Sequence, residues 1–453
     1  MGEINCTMIV HRIAPHVKTK NFSNVGIIDG NAHSVIVVAR GVIMRAVCHI
    51  DANYYYGQIE ALYRPEIRGK PFVVGGDQES RKGIVLTKSP EAKEFGIKTG
   101  SSIKDALKLC PDLLIIPANY PLYMHFSKRM REIVLTFTDT IRPFGSDELW
   151  AQLYGDRAEV RSTVRKIREA IWQQLCLTVS IGISDNMPYA KIGSDLAADS
   201  CVVELWSTER EAKVYPLPVS DLLYVGLATT EKLKEYGINT IGDLANAEPA
   251  YVCQILRNRT GESLCVMARG EDRTQVAHIE SVEDIKSIGN SNTMPRDLKT
   301  EDDVRAAFYM LGESTAQRMR ENGFEATTLK ITVRDNELLS FERQMKLKRP
   351  TNITAELVES AMELFRKHYL WHKPIRSLGI RGTDLVAEGA VYQLNMFADE
   401  TRRSKLDKLE RCADRIRGQY GQFSLQRAVL VKERLKSVNA NNDIGDAQTF
   451  YSY

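Results

Sequence analysis

The order of strand and helix patterns in the first half of the chain constrains its fold more than any other feature. A strand pattern over 46–50 precedes short strands and helices over 55–119, which lead into a long amphipathic helix and a strand over 120–145. A second helix over 159–174 and an apolar strand complete the set. This β-α-β-β-α-β order predicts an α+β domain built on an antiparallel sheet.

Two further patterns follow, and the second carries a charge that points to a partner. The first is a linker, a helix, a glycine turn at 225–228 and another helix. The second is another α+β pattern. The whole chain has a net charge of only +3, yet residues 330–381 hold 11 Lys and Arg against 6 Asp and Glu. A basic module on a near-neutral chain is typical of nucleic-acid binding.

Composition excludes several other classes of protein. With 43% hydrophobic and 26% charged residues among 453, the chain is typical of a globular protein. The apolar runs near its start are far shorter than the ~20 residues of a membrane span. The eight cysteines stand singly without a C-x-x-C pair, which argues against zinc and thioredoxin-like sites and favours reduced thiols in a cytoplasmic protein.

Residues 1–43 are weakly patterned, whereas a strong strand pattern begins just after Met44. We treat them as an N-terminal extension of unknown role. Two interpretations are open, a natural segment or a translation start assigned upstream of Met44. Both place the active part of the chain from Met44 onward.

Three acidic residues stand at strand ends. Asp51 ends the first strand, and Asp147 and Glu148 lie between two later strand patterns. Carboxylates at the strand ends of one sheet can converge on hard cations such as Mg²⁺, which prefer oxygen ligands. Two such ions stabilise the attacking and leaving oxygens of an in-line displacement. An Asp-Glu pair at a strand end can equally be a solvated turn, so the residues alone leave both interpretations open.

Other candidates carry the same ambiguity. The tyrosines at 54–56 suit core packing on a first helical turn or an aromatic plate beneath a sugar ring. Lys93, near Thr87, and Lys191 are either solvated surface residues or phosphate ligands. The chain has no Walker loop and no H-E-x-x-H motif, which argues against common NTPases and zinc hydrolases.

Seven segments occur in the order found in the Y-family DNA polymerases: HIDANYYYGQIE, RPEIRGKPFVVGG, GIVLTKSPEAKEFGIKTG, FGSDELW, SIGISDNMPYAKIGSDLA, LPVSDLLYVGLATTEKLKEYGI and QLNMF. From about Met44 to about Tyr420 the chain resembles that family, most nearly its bacterial DNA polymerase IV (DinB-like) branch, with some UmuC-like features. The resemblance implies a right-hand polymerase with an antiparallel-sheet palm, small fingers, a helix-hairpin-helix thumb and an α+β little finger.

The resemblance also implies domain bounds. They are 44–54 and 120–198 for the palm, 55–119 for the fingers, 199–275 for the thumb, 281–384 for the little finger, 385–400 for a linker and 401–453 for a C-terminal helix and tail. Short fingers leave little protein to check the new base pair, which predicts low-fidelity synthesis past damaged templates. The chain length leaves no room for an exonuclease module, so we expect no proofreading.

Site roles follow from the resemblance residue by residue. The metal-binding catalytic residues are Asp51, Asp147 and Glu148, with the backbone carbonyl of Ala52 near a metal. Tyr56 matches the steric gate that excludes ribonucleotides. The remaining nucleotide contacts are Tyr55, Thr87, Lys93 and Lys191, and the glycine turn with Gly226 and Ala228 resembles a helix-hairpin-helix that holds a DNA phosphate. Two Mg²⁺ ions would assist the attack of a primer 3′-hydroxyl on the α-phosphate of a dNTP, releasing pyrophosphate.

The segment QLNMF resembles the bacterial sliding-clamp motif. Its contact residues would be Gln393, Leu394, Met396 and Phe397, since a flexible peptide can dock apolar side chains into a groove. The alternative is a small strand packed on the little finger. The implied partners are primer–template DNA, dNTPs and the clamp. We expect a monomer in the cytoplasm, associated with the nucleoid and without membrane contact.

Some positions depart from the family pattern. Asn53 replaces the second Asp of the common D-x-D pattern, so we expect no metal ligand there. Pro90 stands where many members carry a Tyr, and Gly145-Ser146 replaces the usual Ser-Ile. Two rival functions remain: another two-metal nucleotidyl transferase on a palm fold, such as a cyclase, and a clamp- and DNA-bound accessory protein. The glycine turn and the basic module argue against the first, and the three intact carboxylates argue against the second.

Overall fold

The computed structural model describes residues 25–27, 36–38, 41–76, 83–197, 201–276, 285–390 and 400–432. Its internal contacts divide the chain into two compact units. The first is Met1–Tyr63 with Leu122–Ser281, and the second is Arg64–Pro121 with Val282–Tyr453. Both combine helices with sheets, so the predicted α+β class is confirmed. Within the described residues, every helix is too short or too polar to cross a lipid bilayer.

The described strands and helices alternate along the chain. The strands are β1 (Val25–Ile27), β2 (Ile36–Val38), β3 (Gly41–Ala52), β4 (Phe72–Gly75), β5 (Val85–Lys88), β6 (Leu114–Pro117), β7 (Ile141–Pro143), β8 (Glu148–Gly155), β9 (Val179–Ser184), β10 (Val202–Glu204), β11 (Ser287–Leu298), β12 (Phe324–Asp335), β13 (Ser340–Thr351) and β14 (Ile375–Ala387). The α-helices are α1 (Tyr55–Tyr63), α2 (Pro90–Glu94), α3 (Ile103–Leu109), α4 (Tyr120–Leu135), α5 (Arg157–Leu175), α6 (Met187–Leu196), α7 (Arg210–Lys213), α8 (Leu227–Glu235), α9 (Ile241–Asn246), α10 (Pro249–Leu256), α11 (Thr260–Ala268), α12 (Glu301–Glu321), α13 (Thr354–His368), α14 (Glu400–Tyr420) and α15 (Ala428–Lys432).

A seven-stranded sheet forms the centre of the first unit, and β3 is its middle strand. β3 pairs antiparallel with β8 on one side and with β9 on the other, as the sequence pattern predicts. β7 lies beyond β8, and β10 joins β9 in parallel. β3 begins at Gly41 rather than after Met44, and its first residues pair with β2, which pairs with β1. Parts of the N-terminal extension therefore continue the sheet.

Helix α6 lies unusually close to this sheet because of a glycine. A side-chain carbon on Gly182, in β9, would stand 1.9 Å from the carbonyl oxygen of Ala190 in α6. Any larger residue would push the helix away. Met187 and Ala190 can therefore pack with Val47 of β3 and with Trp150. This close packing places the next residue of α6, Lys191, beside the ends of β3 and β8.

The C-terminal part of the first unit is a helical cluster made of α8 to α11. It has its own core of buried side chains, among them Leu233, Ile241, Leu244 and Leu264. Gly226 immediately precedes α8, as the glycine turn predicts. The element before that turn is a single 3₁₀ turn, Val219–Asp221, rather than an α-helix.

The second unit contains two separate sheets. β4 lies between β5 and β6 in a three-stranded sheet, whose small core includes Val73, Val85 and Ile103. The other sheet has the order β11-β14-β12-β13, is antiparallel throughout, and is covered by α12 and α13. Phe308 and Phe365 are fully buried between these two helices and the sheet.

Helix α14 is joined to the second unit by buried ion pairs rather than by an apolar face. Arg320 of α12 contacts Glu410 at 3.2 Å and Asp414 at 2.7 Å, and Arg417 of α14 contacts Glu313 at 3.0 Å. Glu410 and Arg417 are the two buried side chains of α14. Moving the helix away would leave buried charges without a partner, which is strongly destabilising. These pairs therefore hold this otherwise polar helix in place.

Candidate active site

Register brings two of the predicted carboxylates face to face. Because β3 and β8 are antiparallel neighbours, Asp51 at the end of β3 lies opposite Glu148, the first residue of β8. Asp147 directly precedes that strand, and its carbonyl accepts a hydrogen bond from the amide of Ala52 at 3.0 Å. Residues that are almost a hundred positions apart in sequence thus share one strand end.

Lys191 supplies the positive charge of this cluster. Its Nζ donates to Glu148 Oε2 at 2.7 Å and to Asp51 Oδ2 at 3.1 Å, and its side chain is only 15% exposed. A third bond goes to Asp195 Oδ1 at 2.8 Å. Burial opposes the charge on the ammonium, but Glu148, Asp51 and Asp195 together raise the pKa of Lys191 above its ordinary value. One cation therefore joins carboxylates of two strands and a helix.

The carboxylates carry more negative charge than this one ammonium offsets. Burial raises the pKa of Asp147 to about 6, and the neighbouring Asp51 adds to the rise. Burial also raises the pKa of Glu148, although Lys191 opposes that rise. The raised pKa values mean that the ionised forms of these carboxyl groups are disfavoured even with the Lys191 ammonium beside them. Further positive charge would therefore stabilise the ionised carboxylates at this end of the sheet.

His49 is a member of the cluster that the sequence did not single out. His49 Nδ1 lies 2.7 Å from Ser194 Oγ, within hydrogen-bond distance, and the Ser194 hydroxyl also lies 2.8 Å from the carbonyl oxygen of Lys191. His49 Nε2 lies 3.4 Å from Glu148 Oε2 and has no hydrogen-bond partner. Burial lowers the pKa of His49 well below its ordinary value.

The donor set fits a divalent cation. One ligand atom from each of His49, Asp51 and Glu148 lies within 4.8 Å of the others. Among the described residues, this is the one group of three or more potential ligand side chains that come this close together. Asp147 is not in that group of three. The Lys191 ammonium between Asp51 and Glu148 shows that these oxygens hold a cation.

Sequence spacing could have indicated the two residues that were missed. His49 stands two positions before Asp51, so a β-strand places both on one face. Asp195 stands four positions after Lys191, which places both on one face of a helix.

The tyrosines of α1 form a layered arrangement. Tyr55 is buried and donates to the carbonyl of Tyr123 at 2.6 Å, and Tyr123 in turn donates to Glu60 at 2.6 Å. Tyr56 is half-buried and stacks on Tyr123, with ring centroids 4.2 Å apart and an angle of 15° between the planes. Its hydroxyl is 3.2 Å from Ser146 Oγ. Tyr55 therefore packs in the core, whereas part of Tyr56 stays accessible beside the carboxylates.

The other predicted residues lie on further elements of the two units. Thr87 belongs to β5 and Lys93 to α2, both in the second unit, and Ser89 caps α2 by accepting from the amide of Ala92. Gly226 and Ala228 lie at the start of α8 in the first unit, where Ala228 is exposed. The clamp-motif residues 393–397 lie outside the described residues.

Asn53, which replaces a common aspartate, uses its side chain for hydrogen bonds. Its amide nitrogen donates to Thr178 Oγ1 at 3.1 Å, and its oxygen accepts from Ser180 at 2.8 Å. These bonds connect Asn53, which follows β3, to Ser180 in β9 and to Thr178, the residue just before β9. That position 53 is not a metal ligand stays a prediction.

Comparisons with known proteins point to one family. The impB/mucB/samB family model matches residues 50–195, and the model of that family's C-terminal domain matches residues 285–396. The chain is 40% identical to the DNA polymerase IV of Acetivibrio thermocellus over 396 residues, which are 86% of this chain and 98% of that protein. It is 33% identical to the DNA polymerase IV of Bacillus velezensis, over 86% of this chain and 94% of that protein.

A solved structure shows the same fold. It is a Y-family DNA polymerase chimera, Dbh–Dpo4–Dbh, which matches with a TM-score of 0.65 and 20% identity over 76% of this chain and 100% of the other. The first family match begins just after His49 and ends at Asp195, so it includes Asp51, Asp147, Glu148 and Asp195.

Proposed function

Because this chain belongs to the impB/mucB/samB family and matches DNA polymerase IV proteins over nearly their whole length, we infer that it is a DNA-directed DNA polymerase of the translesion type. Its substrates are DNA and deoxynucleoside triphosphates. The reaction is nucleotidyl transfer, in which a primer 3′-hydroxyl attacks the α-phosphate and pyrophosphate leaves.

The observation that carries the catalytic assignment is the cation-holding cluster at the ends of β3 and β8. We propose that Asp51, Asp147 and Glu148, with the carbonyl of Ala52, hold two Mg²⁺ ions. Such ions supply positive charge to the attacking and leaving oxygens when they are bound. The raised pKa values of Asp147 and Glu148 support this proposal, because a cation beside them would lower the free energy of the ionised carboxylates.

Lys191 has two uses in this proposal. In the free protein its ammonium bridges Asp51 and Glu148. With the metals bound, it would be released to neutralise the triphosphate. Its bond to Asp195 offers a second anchor on the same helix, so the ammonium stays near the site after it leaves the carboxylates.

Tyr56 is the proposed steric gate against ribonucleotides. It is the half-buried ring of α1 beside the carboxylates, whereas Tyr55 supports it from the core. A bulky ring near the sugar would clash with a 2′-hydroxyl but leave room for the hydrogen of a deoxyribose. Its stack on the fully buried Tyr123 gives the ring a rigid support.

The remaining proposals concern macromolecular partners. The start of α8 at Gly226 and Ala228 would bind a DNA phosphate through backbone amides, and the basic 330–381 segment of the second unit would follow the duplex backbone without reading sequence. Residues 393–397 would bind the sliding clamp. We further propose a nucleoid-associated monomer with low fidelity and no proofreading.

The test is primer extension with four dNTPs on damaged and undamaged templates, comparing the wild type with Asp147→Ala. We expect extension by the wild type past at least one lesion, and no extension by the variant. Extension by both proteins would refute the catalytic role of Asp147, and extension by neither would favour an accessory role. Primer-independent turnover of a single nucleotide would favour a different transferase on this palm.

A further inference from the structure

The fully buried side chain of His49 directs one unpartnered ring nitrogen at the acidic cluster. His49 is 0% exposed, and its Nε2 lies 3.4 Å from Glu148 Oε2 without a hydrogen-bond partner. A buried polar atom that lacks a partner costs free energy, and native proteins contain few of them. The position of this atom beside the carboxylates therefore indicates a role other than packing.

Contacts elsewhere on the ring hold it in this orientation. Nδ1 of His49 lies 2.7 Å from Ser194 Oγ, and the Ser194 hydroxyl also lies 2.8 Å from the carbonyl oxygen of Lys191 in α6. The ring meets Trp150 at a steep angle, with centroids 4.9 Å apart and 64° between the planes. Ser194 and Trp150 are both buried. Rotating the ring would break the contact at Nδ1, so Nε2 stays directed at the carboxylates.

The atoms around Nε2 have nearly the spacing of ligands to one metal ion. One ligand atom from each of His49, Asp51 and Glu148 lies within 4.8 Å of the others. A metal ion stands about 2.0–2.2 Å from nitrogen and oxygen ligands, so two ligands on opposite sides of it are about 4.4 Å apart. The same two carboxylates hold the Lys191 ammonium, so an ion bound by them competes with that ammonium.

A nitrogen ligand changes which cation the cluster prefers. Mg²⁺ prefers oxygen ligands, whereas imidazole nitrogen favours first-row transition metals. We propose that His49, through Nε2, is a ligand that lets Asp51 and Glu148 bind a transition-metal ion such as Mn²⁺ in preference to Mg²⁺. The proposal rests on the proposed function, because it adds a ligand and a class of cation to the same cluster. Ser194 is then a positioning residue: Nε2 binds a metal only when the ring proton is on Nδ1, where Ser194 Oγ accepts it.

Loss of the nitrogen ligand should weaken Mn²⁺ binding more than Mg²⁺ binding. Hydrogen-bond partners that orient a ligating histidine contribute about 10- to 100-fold to metal affinity. We therefore expect Ser194→Ala to weaken Mn²⁺ binding about tenfold, and His49→Phe to weaken it by at least as much. The ratio of Mn²⁺ to Mg²⁺ affinity should fall in both variants. Lys191→Met should instead strengthen Mn²⁺ binding, because it removes the competing ammonium.

The experiment is pulsed EPR of Mn²⁺ bound to the full-length protein without DNA or nucleotide, with a Mn²⁺ titration in which Mg²⁺ competes. The wild type should show hyperfine coupling to a directly bound nitrogen, and His49→Phe, which keeps an aromatic ring against Trp150, should lose it. His125→Phe is the matched control, because it removes an exposed histidine of α4. Lys191→Met should keep the coupling, which shows that the nitrogen is not the Lys191 amine.

Three results would overturn the proposal: a wild-type spectrum without nitrogen coupling, a coupling that persists in His49→Phe, or Mn²⁺ and Mg²⁺ affinities that fall equally in that variant. The last result would assign His49 a packing role. The wild-type spectrum and Ser194→Ala decide the question even if His49→Phe does not fold. Failure of the polymerase function is separate, because a wild type that extends no primer refutes that function without changing the nitrogen coupling. A wild type that extends primers but binds Mn²⁺ through oxygen alone refutes only the role of His49.

Discussion

Replacing Lys191 by methionine should destabilise the metal-free protein in a way that depends on pH. The methionine keeps the length and apolar stem of the side chain but removes the ammonium that contacts Asp51, Glu148 and Asp195. Glu148 is then left at the strand end with Asp51 and Asp147 as neighbours and no cation. It must either remain charged among like charges or take a proton.

The pH dependence follows from Asp147. Burial already raises the pKa of Glu148 to about 8 in the wild type, so the loss of Lys191 changes its protonation little between pH 5 and pH 7. Burial raises the pKa of Asp147 to about 6, and Lys191 opposes that rise, so the variant should raise this pKa further. A carboxyl group whose folded-state pKa is raised contributes stability below its unfolded pKa and loses it as pH rises. At about 1.4 kcal/mol per pH unit, the pH-dependent part of the deficit should therefore grow from near zero at pH 5 to at most about 1.4 kcal/mol at pH 7.

The assay is urea unfolding followed by tryptophan fluorescence, since Trp150, Trp172 and Trp206 all lie in the first unit. Millimolar Mg²⁺ should reduce the deficit, because an ion that binds only the folded state stabilises it. Lys213→Met is the matched control, since this exposed lysine also pairs with a carboxylate four residues away, Glu209 at 2.6 Å. A deficit that is equal at both pH values and insensitive to Mg²⁺ would refute the argument.

Three shorter predictions concern the rest of the chain. Asp147→Asn should abolish primer extension. The metal-free wild type should lose roughly 2 kcal/mol of stability as pH rises from 4 to 7, because the folded-state pKa of Asp147 is raised to about 6. The variant has no carboxyl group to titrate at this position and should not show that loss in urea unfolding across the same pH range. Replacing Leu394, Met396 and Phe397 by alanine should abolish retention on immobilised clamp but spare distributive synthesis, and a variant that is still retained would contradict the motif. Removing residues 1–43 should leave primer extension within about twofold of the wild type, because the carboxylate-bearing part of β3 pairs with β8 and β9; an inactive truncation would show that the extension belongs to the fold.

Patterning predicted the elements of the fold because their faces are regular. The helix predicted over 159–174 is α5, Arg157–Leu175, whose buried positions recur every three to four residues. The start of β3 was less predictable. Its first residues pair with β2 of the extension, and this pairing is set by backbone hydrogen bonds that leave little mark on residue choice. The 3₁₀ turn Val219–Asp221 was taken for a helix because an apolar pattern shows that a segment packs, but not how tightly it winds.

At the site, position in the sequence predicted which carboxylates belong together but not what surrounds them. Asp51 and Glu148 end and begin neighbouring strands, so their register makes the encounter almost inevitable. The orientation of His49 depends on its hydrogen bond to Ser194, which belongs to another element, so no local pattern contains it. Ser146 was noted only as a departure from the family pattern. Its contact with Tyr56 spans 90 residues and could be seen only in three dimensions.

The charges of the cluster explain why one lysine can serve both the free and the loaded site. In the described part of the chain, Lys191 forms ion pairs with both Asp51 and Glu148. One ammonium group cannot bridge these two carboxylates and contact a triphosphate at the same time. Divalent cations bring enough charge to replace it, and the incoming triphosphate brings enough negative charge to attract it. Binding of metal and of nucleotide should therefore be mutually favourable, because each removes the cost of moving the ammonium for the other. Lys191→Met should weaken that coupling, which a comparison of Mn²⁺ affinity with and without a non-hydrolysable dNTP would measure directly.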